Sequence, residues 1–216
     1  MGYSEKFRFA QISVVKFKMP SIRTDVLVDR DYREWHGGIA LYGFWCVQIE
    51  DSSWIDRLNC VKSSFKPFLQ DGYQRFPHVT IATVGLMNDE NWRVANRQIK
   101  LLRMLKLSKI GLSWKAVSSY IHSPIVRVSS SKNYLSKIRE QLHLISLGDD
   151  SSDFDPHITL GYYSSITSID STLMTGEESC VQKFDSLEIG EIKFCTYETH
   201  TIKGSLSVQS SIDLRG

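Results

Sequence analysis

Two short stretches of this sequence carry the same pattern, Pro77-His78-Val79-Thr80 and Pro156-His157-Ile158-Thr159, each with a phenylalanine just upstream, Phe76 and Phe154. With six histidines and five prolines in 216 residues, composition alone gives no reason for two copies. A strand start explains proline at an edge and threonine by β propensity, but not histidine in both places. In extended backbone, residues two apart point to the same face, so each His is paired with its Thr. Val79 and Ile81, or Ile158 and Leu160, then face the core. Two such strands facing each other would place two imidazoles and two hydroxyls around one cleft. Imidazole is the side chain whose ordinary pKa lets one copy be neutral and another charged near pH 7, so the pair supplies a base and an acid. Threonine hydroxyls can donate to the non-bridging oxygens of a phosphate. The set suits phosphodiester chemistry without a metal.

The elements that must position these residues read β-α-β-α-β twice. Ile39 to Glu50 is rich in aromatic and β-branched residues, as a buried strand is. Ser52 or Ser53 can cap a helix bearing Trp54, Leu58, Val61, Phe65 and Phe68 at helical spacing, ended by Pro67 and Gly72. A strand from Pro77 to Val84, a helix capped by Asn88 or Asp89, and an alternating strand from Ile110 to Ala116 follow. After Pro124 the order recurs: a strand over Ile125 to Val128, a helix from about Ser131 and a strand from His157 to Tyr162. A weak helical segment near Ser168 to Cys180 and closing strands over Leu187 to Thr196 and Ile202 to Ile212 complete it. His78 lies 25 residues beyond Ser53 and His157 lies 26 beyond Ser131, which identifies a diverged internal duplication. Phe7 to Phe17 could form a strand, and Pro20 with the charged run Arg23 to Glu34 reads as an irregular arm closed by Gly37-Gly38. The expected organisation is an N-terminal arm over 1–38 and one two-lobed domain over 39–216, with lobes of about 39–121 and 122–216.

Composition narrows the partners. Hydrophobic residues make up 42% and charged residues 23%, which is globular rather than disordered. A formal charge of only +2 (26 basic against 24 acidic residues) argues against a broad grip on duplex DNA, while a small anionic ligand in a local pocket fits. No apolar run is long enough to span a bilayer, and the first residues resemble neither a signal peptide nor a myristoylation signal, so a soluble, cytoplasmic monomer without membrane contact is expected. The cysteines, Cys46, Cys60, Cys180 and Cys195, form no metal-binding or disulfide pattern, and Cys46, in an apolar run, reads as a buried reduced thiol. No P-loop, dinucleotide fingerprint or His-Glu-x-x-His motif is present, so no cofactor and no metal are expected.

Two His-hydrophobic-Thr motifs, one per lobe of a duplicated α/β chain, resemble the two-histidine phosphoesterase superfamily. Val84-Gly85 looks like the family's apolar-Gly strand ending, and Tyr120 lies where members often carry an aromatic. Tyr42 to Gly85 most resembles bacterial proteins of the 2′-5′ RNA ligase-like, or cyclic phosphodiesterase, type. The resemblance covers about residues 39 to 200. It implies an α+β, bilobal, pseudo-twofold fold, with two antiparallel sheets facing a central cleft and helices outside. His78 and His157 correspond to the family's catalytic pair, and Thr80 and Thr159 to its phosphate-binding hydroxyls. The implied activity is metal-independent cleavage of RNA or oligonucleotide phosphodiesters, of 2′,5′-linked oligoadenylate or 2′,3′-cyclic phosphate type. The sequence departs from the family after the second motif, where Leu160-Gly161-Tyr162 puts tyrosine in place of arginine, which bears on phosphate charge neutralisation.

Three aromatic residues are candidate substrate contacts. Trp35 either stands in a loop that reaches over the cleft and stacks on a base or anchors the arm to the core, and Tyr120 and Tyr162 either stack on or hydrogen-bond a nucleotide or serve in packing. Asp155 is the only carboxylate beside either motif, and it reads as orienting a loop or the nearby imidazole. Lys100, Arg103 and Lys106 form a solvated helix face, and His122, His143 and His200 have solvated or structural roles. The competing function is a non-catalytic module that sequesters a cyclic or oligonucleotide or docks an RNA end. Retention of both His and both Thr favours the enzyme.

Overall fold

Alternation along Leu41–Gln48 (β1) sets the two faces of the fold. Trp45, Val47 and the following Ile49 turn into the main core, whereas Tyr42, Phe44 and Cys46 turn to the opposite face. The computed structural model describes residues 23–146, 154–169 and 186–215. A four-residue helix, α1 (Arg33–His36), ends on Gly37 in the left-handed conformation, where the sequence places the close of the arm. Helix α2 (Ser52–Phe65) starts one residue earlier than its serines suggest. Asp51 is the cap, its carboxylate accepting the Trp54 N–H at 3.0 Å, and the Ser53 hydroxyl donates to the same carboxylate. Strand β2 (His78–Leu86), helix α3 (Asp89–Met104, capped by Asn88) and strand β3 (Ile110–Ser119) follow. Then come β4 (Pro124–Ser130), α4 (Tyr134–His143), β5 (His157–Thr159), β6 (Leu187–Ile189), β7 (Glu191–Glu198) and β8 (Ser207–Asp213).

The strands form one antiparallel sheet in the order β6-β3-β4-β5-β2-β1-β7-β8. The order is symmetric about the β5–β2 junction, as an α+β duplication requires, and the two antiparallel halves are joined there edge to edge into one curled sheet. Their membership is exchanged between the repeats. Strand β3 pairs with β4 and β6, and β7 pairs with β1, so each repeat lends a strand to the other's half. A division near residue 121 therefore does not follow the sheet: β3 lies with β4–β6, and β7 and β8 lie with β1 and β2. The run Leu187 to Thr196 is two strands, separated at Gly190 because β6 and β7 serve opposite halves. Strand β5 stops at Thr159, before Gly161 takes a φ of +155°. The Phe7 to Phe17 strand lies outside the described residues, as does all but the start of the Ser168 to Cys180 helix.

Helices α2, α3 and α4 cover one face. Trp54, Leu58, Val61 and Phe65 of α2, Ala95 and Leu102 of α3, and Leu135, Ile138 and Leu142 of α4 share a core with sheet residues from both halves. No described helix is long and apolar enough to cross a membrane. Among the described residues the one fully buried amide side chain, Gln98 on α3, accepts the Trp45 indole N–H at 2.8 Å and donates to the Leu142 carbonyl at 2.9 Å. It ties β1, α3 and α4 together. Gln98→Leu strands the buried Trp45 indole N–H, whereas the Leu142 carbonyl keeps the Ile145 N–H and the Ser146 hydroxyl as donors, and should lower stability by about 1–3 kcal/mol. The check is a reduced urea midpoint at unchanged m-value.

Candidate active site

The face of the sheet away from the helices carries both His-x-Thr motifs. Strands β2 and β5 run antiparallel with Val79 opposite Ile158, and both of those side chains are fully buried in the main core. Pleating then sends His78, Thr80, His157 and Thr159 to the other face. Continuing the register sets His78 across from Thr159 and Thr80 across from His157, so each imidazole has the other motif's hydroxyl as its neighbour.

The same backbone device orients both rings. His78 Nδ1 lies 2.7 Å from the Phe76 carbonyl, and His157 Nδ1 lies 2.7 Å from the Asp155 carbonyl, each two residues upstream. A carbonyl only accepts, so Nδ1 carries the proton in both rings and Nε2 is left as the exchanging nitrogen.

The surroundings of the two rings differ. His78 is buried, with the Phe44 ring centred 5.4 Å away. Burial pushes its pKa down to about 4 against the support of the Phe76 carbonyl, and the charges of Arg75 and His157 lower it further. The half-buried His157 meets the edge of Tyr120 at 4.9 Å. The Tyr120 hydroxyl donates to Asp155 Oδ2 at 2.9 Å, and Arg127 Nε donates to the same oxygen at 3.0 Å. Burial and the Asp155 carboxylate raise the Tyr120 phenol to about 12, so it stays a donor. Asp155 thus orients the imidazole through its carbonyl and ties down Tyr120 and Arg127 through its carboxylate.

Of the residues singled out in the sequence, His78, Thr80, His157, Thr159 and Tyr120 come together. Trp35 stands at the far end of a ladder of rings. Trp35 packs on Tyr42 at 5.5 Å, Tyr42 on Tyr197 at 5.3 Å, and Tyr197 on Phe44 at 5.9 Å, which in turn meets His78. Tyr162 packs edge-on against Tyr73 at 5.5 Å rather than on either histidine. Cys46 is a buried free thiol as expected, with its Sγ 3.5 Å from that of the equally free Cys195.

Sequence reading missed two cations. Arg127 lies directly across from His157 in the β4–β5 register, and the Arg75 guanidinium carbon sits 4.0 Å above the Tyr197 ring. One charge is near each imidazole, although the position after the second motif holds Tyr162. The charged residue interrupting Val126-Arg127-Val128 was the available signal for Arg127. Among the described residues, no three His, Cys, Asp or Glu side chains gather as a metal-binding set.

This chain has a LigT-like fold. The protein TT0787 of Thermus thermophilus superposes with a TM-score of 0.54 at 15% identity, over 81% of this chain and 98% of that one. A crystal structure of a phosphoesterase matches with a TM-score of 0.51 at 13% identity, over 81% and 99% of the two chains. Escherichia coli LigT complexed with 3′-AMP gives 0.50 at 12% identity, over 82% and 99%. No protein-family model and no curated protein matches the sequence.

The depressed pKa of His78 ties stability to pH. An unfolded histidine titrates near 6.5 and folded His78 near 4, so between these values only the unfolded chain takes up the proton. Stability therefore falls as pH drops through this window, by about 2–3 kcal/mol between pH 7 and 4.5 from this residue. Urea unfolding at the two pH values should show a correspondingly smaller loss in His78→Asn than in the unsubstituted protein.

Proposed function

We propose that this protein is a metal-independent phosphodiesterase acting on RNA or oligonucleotide phosphodiesters, of 2′,5′-linked oligoadenylate or 2′,3′-cyclic phosphate type. The observation that carries this reading is the antiparallel pairing of Val79 with Ile158, with two His-x-Thr motifs on one open face and both imidazoles tethered at Nδ1. In this reading His78, held neutral by burial, accepts through Nε2 the proton of the attacking hydroxyl, from a ribose or from water. His157 enters protonated and gives its Nε2 proton to the departing oxygen. The phosphorus–oxygen bond to that oxygen breaks as the new one forms, and the two imidazoles end with exchanged protonation states. Thr80 and Thr159 donate to the non-bridging oxygens, and Arg75 and Arg127 offset the phosphate charge from either side. The complex of LigT with 3′-AMP supports a nucleotide as ligand. Asp155, the one carboxylate beside the motifs, is already engaged by Tyr120 and Arg127, which supports chemistry that does not need a divalent ion.

The deciding experiment is turnover of a 2′,5′-linked oligoadenylate and a 2′,3′-cyclic mononucleotide, side by side, with and without EDTA. Cleavage of at least one at a rate indifferent to EDTA is expected. Binding of both without turnover would make the chain a sequestering module instead. Strict dependence on Mg²⁺ or Mn²⁺ would overturn the two-histidine chemistry.

His78→Ala and His157→Ala should each lose about 10²–10⁴-fold in kcat, with the double variant little worse than either, because the two groups act as a unit. Thr80→Ala and Thr159→Ala should each cost about 1–3 kcal/mol of transition-state stabilisation, and Thr→Ser should cost less. Steady-state kinetics of these variants checks both statements, and equal behaviour of Ser and Ala at either threonine would remove its role toward phosphate.

A further inference from the structure

A groove runs between α2 and the segment 69–77, beside the two motifs. It consists of two adjoining cavities of about 390 and 230 Å³ that share Asn59, Lys62 and Tyr73 as lining. The smaller one is lined by Pro77, next to His78, and by Thr159, so the groove meets the site where β2 starts and β5 ends. The larger one continues along α2 to Lys66.

Its charge is one-sided. Lys62, Lys66 and Arg75 line the two cavities against a single carboxylate, Asp71. Asn59, Lys62, Ser63 and Lys66 are spaced by three or four residues, so they form one stripe of the helix, and the two lysines stand about 6 Å apart along its axis. That stripe points away from the residues α2 gives to the core, Trp54, Leu58, Val61 and Phe65. The Lys62 ammonium lies 5.4 Å from the centre of the Tyr73 ring, and Tyr73 packs against Tyr162. Arg75, where the groove meets the site, has a buried Nε–H with no acceptor among the described residues. A buried donor left unsatisfied on a cation is costly, and an anionic oxygen entering the groove would satisfy it. A row of cations continuous with a phosphate site fits a chain of phosphates.

We infer that this groove is a second subsite of the same site and takes the phosphodiester continuation of a single-stranded oligonucleotide, so that the protein acts on strand ends in preference to mononucleotides. The inference rests on the phosphodiesterase reading for the identity of the first subsite. Lys62 and Lys66 hold successive phosphates, and Arg75 meets the phosphate next to the histidines. Tyr162 contributes indirectly, by packing against Tyr73 in the wall.

The test is binding of a fluorescently labelled hexa-adenylate bearing a 3′-phosphate, compared with adenosine 3′-phosphate, by anisotropy and competition over a range of salt. The hexamer should bind about tenfold tighter or better, with a steeper salt dependence. Lys62→Gln/Lys66→Gln should weaken hexamer binding about tenfold and reduce the salt slope by about 1.4, the share of two contacts on a single strand. Glutamine preserves helix propensity, and the single variants, each losing about half of that slope, serve if the double variant folds poorly. A hexamer that binds no tighter than the mononucleotide, or a Kd and salt slope unmoved by the substitutions, would overturn the groove. Hexamer binding without turnover of any phosphodiester would leave the groove standing and overturn the phosphodiesterase reading. Turnover of the cyclic mononucleotide with no extra affinity for the hexamer would do the reverse.

Discussion

A single backbone pairing, Val79 against Ile158, decides whether this molecule has one site or two unrelated strand starts. Strand β5 is three residues long and is held between β2 and β4. Its pairing with β2 is the junction between the two halves of the described sheet. Because the paired residues are both apolar and both fully buried, the register is fixed by burial: a slip of one residue would put His78 or His157 into the hydrophobic core. The position of the four polar side chains on the opposite face is thus a consequence of what Val79 and Ile158 need, and the chemistry depends on packing beneath it.

The environments on either side of that pairing make the two imidazoles unequal. Around His78 the fold supplies aromatic surface and the Arg75 charge, which favour a neutral ring. Around His157 it supplies a tyrosine edge, a carboxylate and the facing Arg127, in a more open setting. Nothing in the repeated tetrads distinguishes them. The difference comes from residues contributed by other strands, Phe44 of β1 and Tyr197 of β7 on one side, Arg127 of β4 and Tyr120 beyond β3 on the other.

Much of the fold was legible because the core obeys simple periods. The strands around Trp45, Ile81, Leu112 and Val126 and the helices around Leu58, Leu102 and Ile138 all announce themselves by spacing. The motif residues were legible because a histidine repeated at the same place in a duplication has no packing explanation. Arg75 and Tyr197 were not, since their proximity depends on β7 returning beside β1, a contact about 150 residues distant in sequence that no local pattern encodes. The exchange of β3 and β7 was hidden for the same reason: strand identity is written in periodicity, but strand partnership is not. The cap of α2 was misplaced by one residue because three adjacent polar residues, Asp51, Ser52 and Ser53, could each serve, and only the backbone angles choose.

The lent strands bear on the symmetry of the site. A chain containing one repeat alone would end with a strand that has no neighbour in its own half, and it could complete its sheet only against a second copy giving its own strand in return. Such a pair would have perfect twofold symmetry, with its two histidines identical by construction and forced to share whatever protonation behaviour their common surroundings imposed. With both repeats in one polypeptide that restriction is absent. Each half has neighbours of its own, Phe44 and Arg75 around one imidazole and Tyr120 and Arg127 around the other, so the two rings need not behave alike.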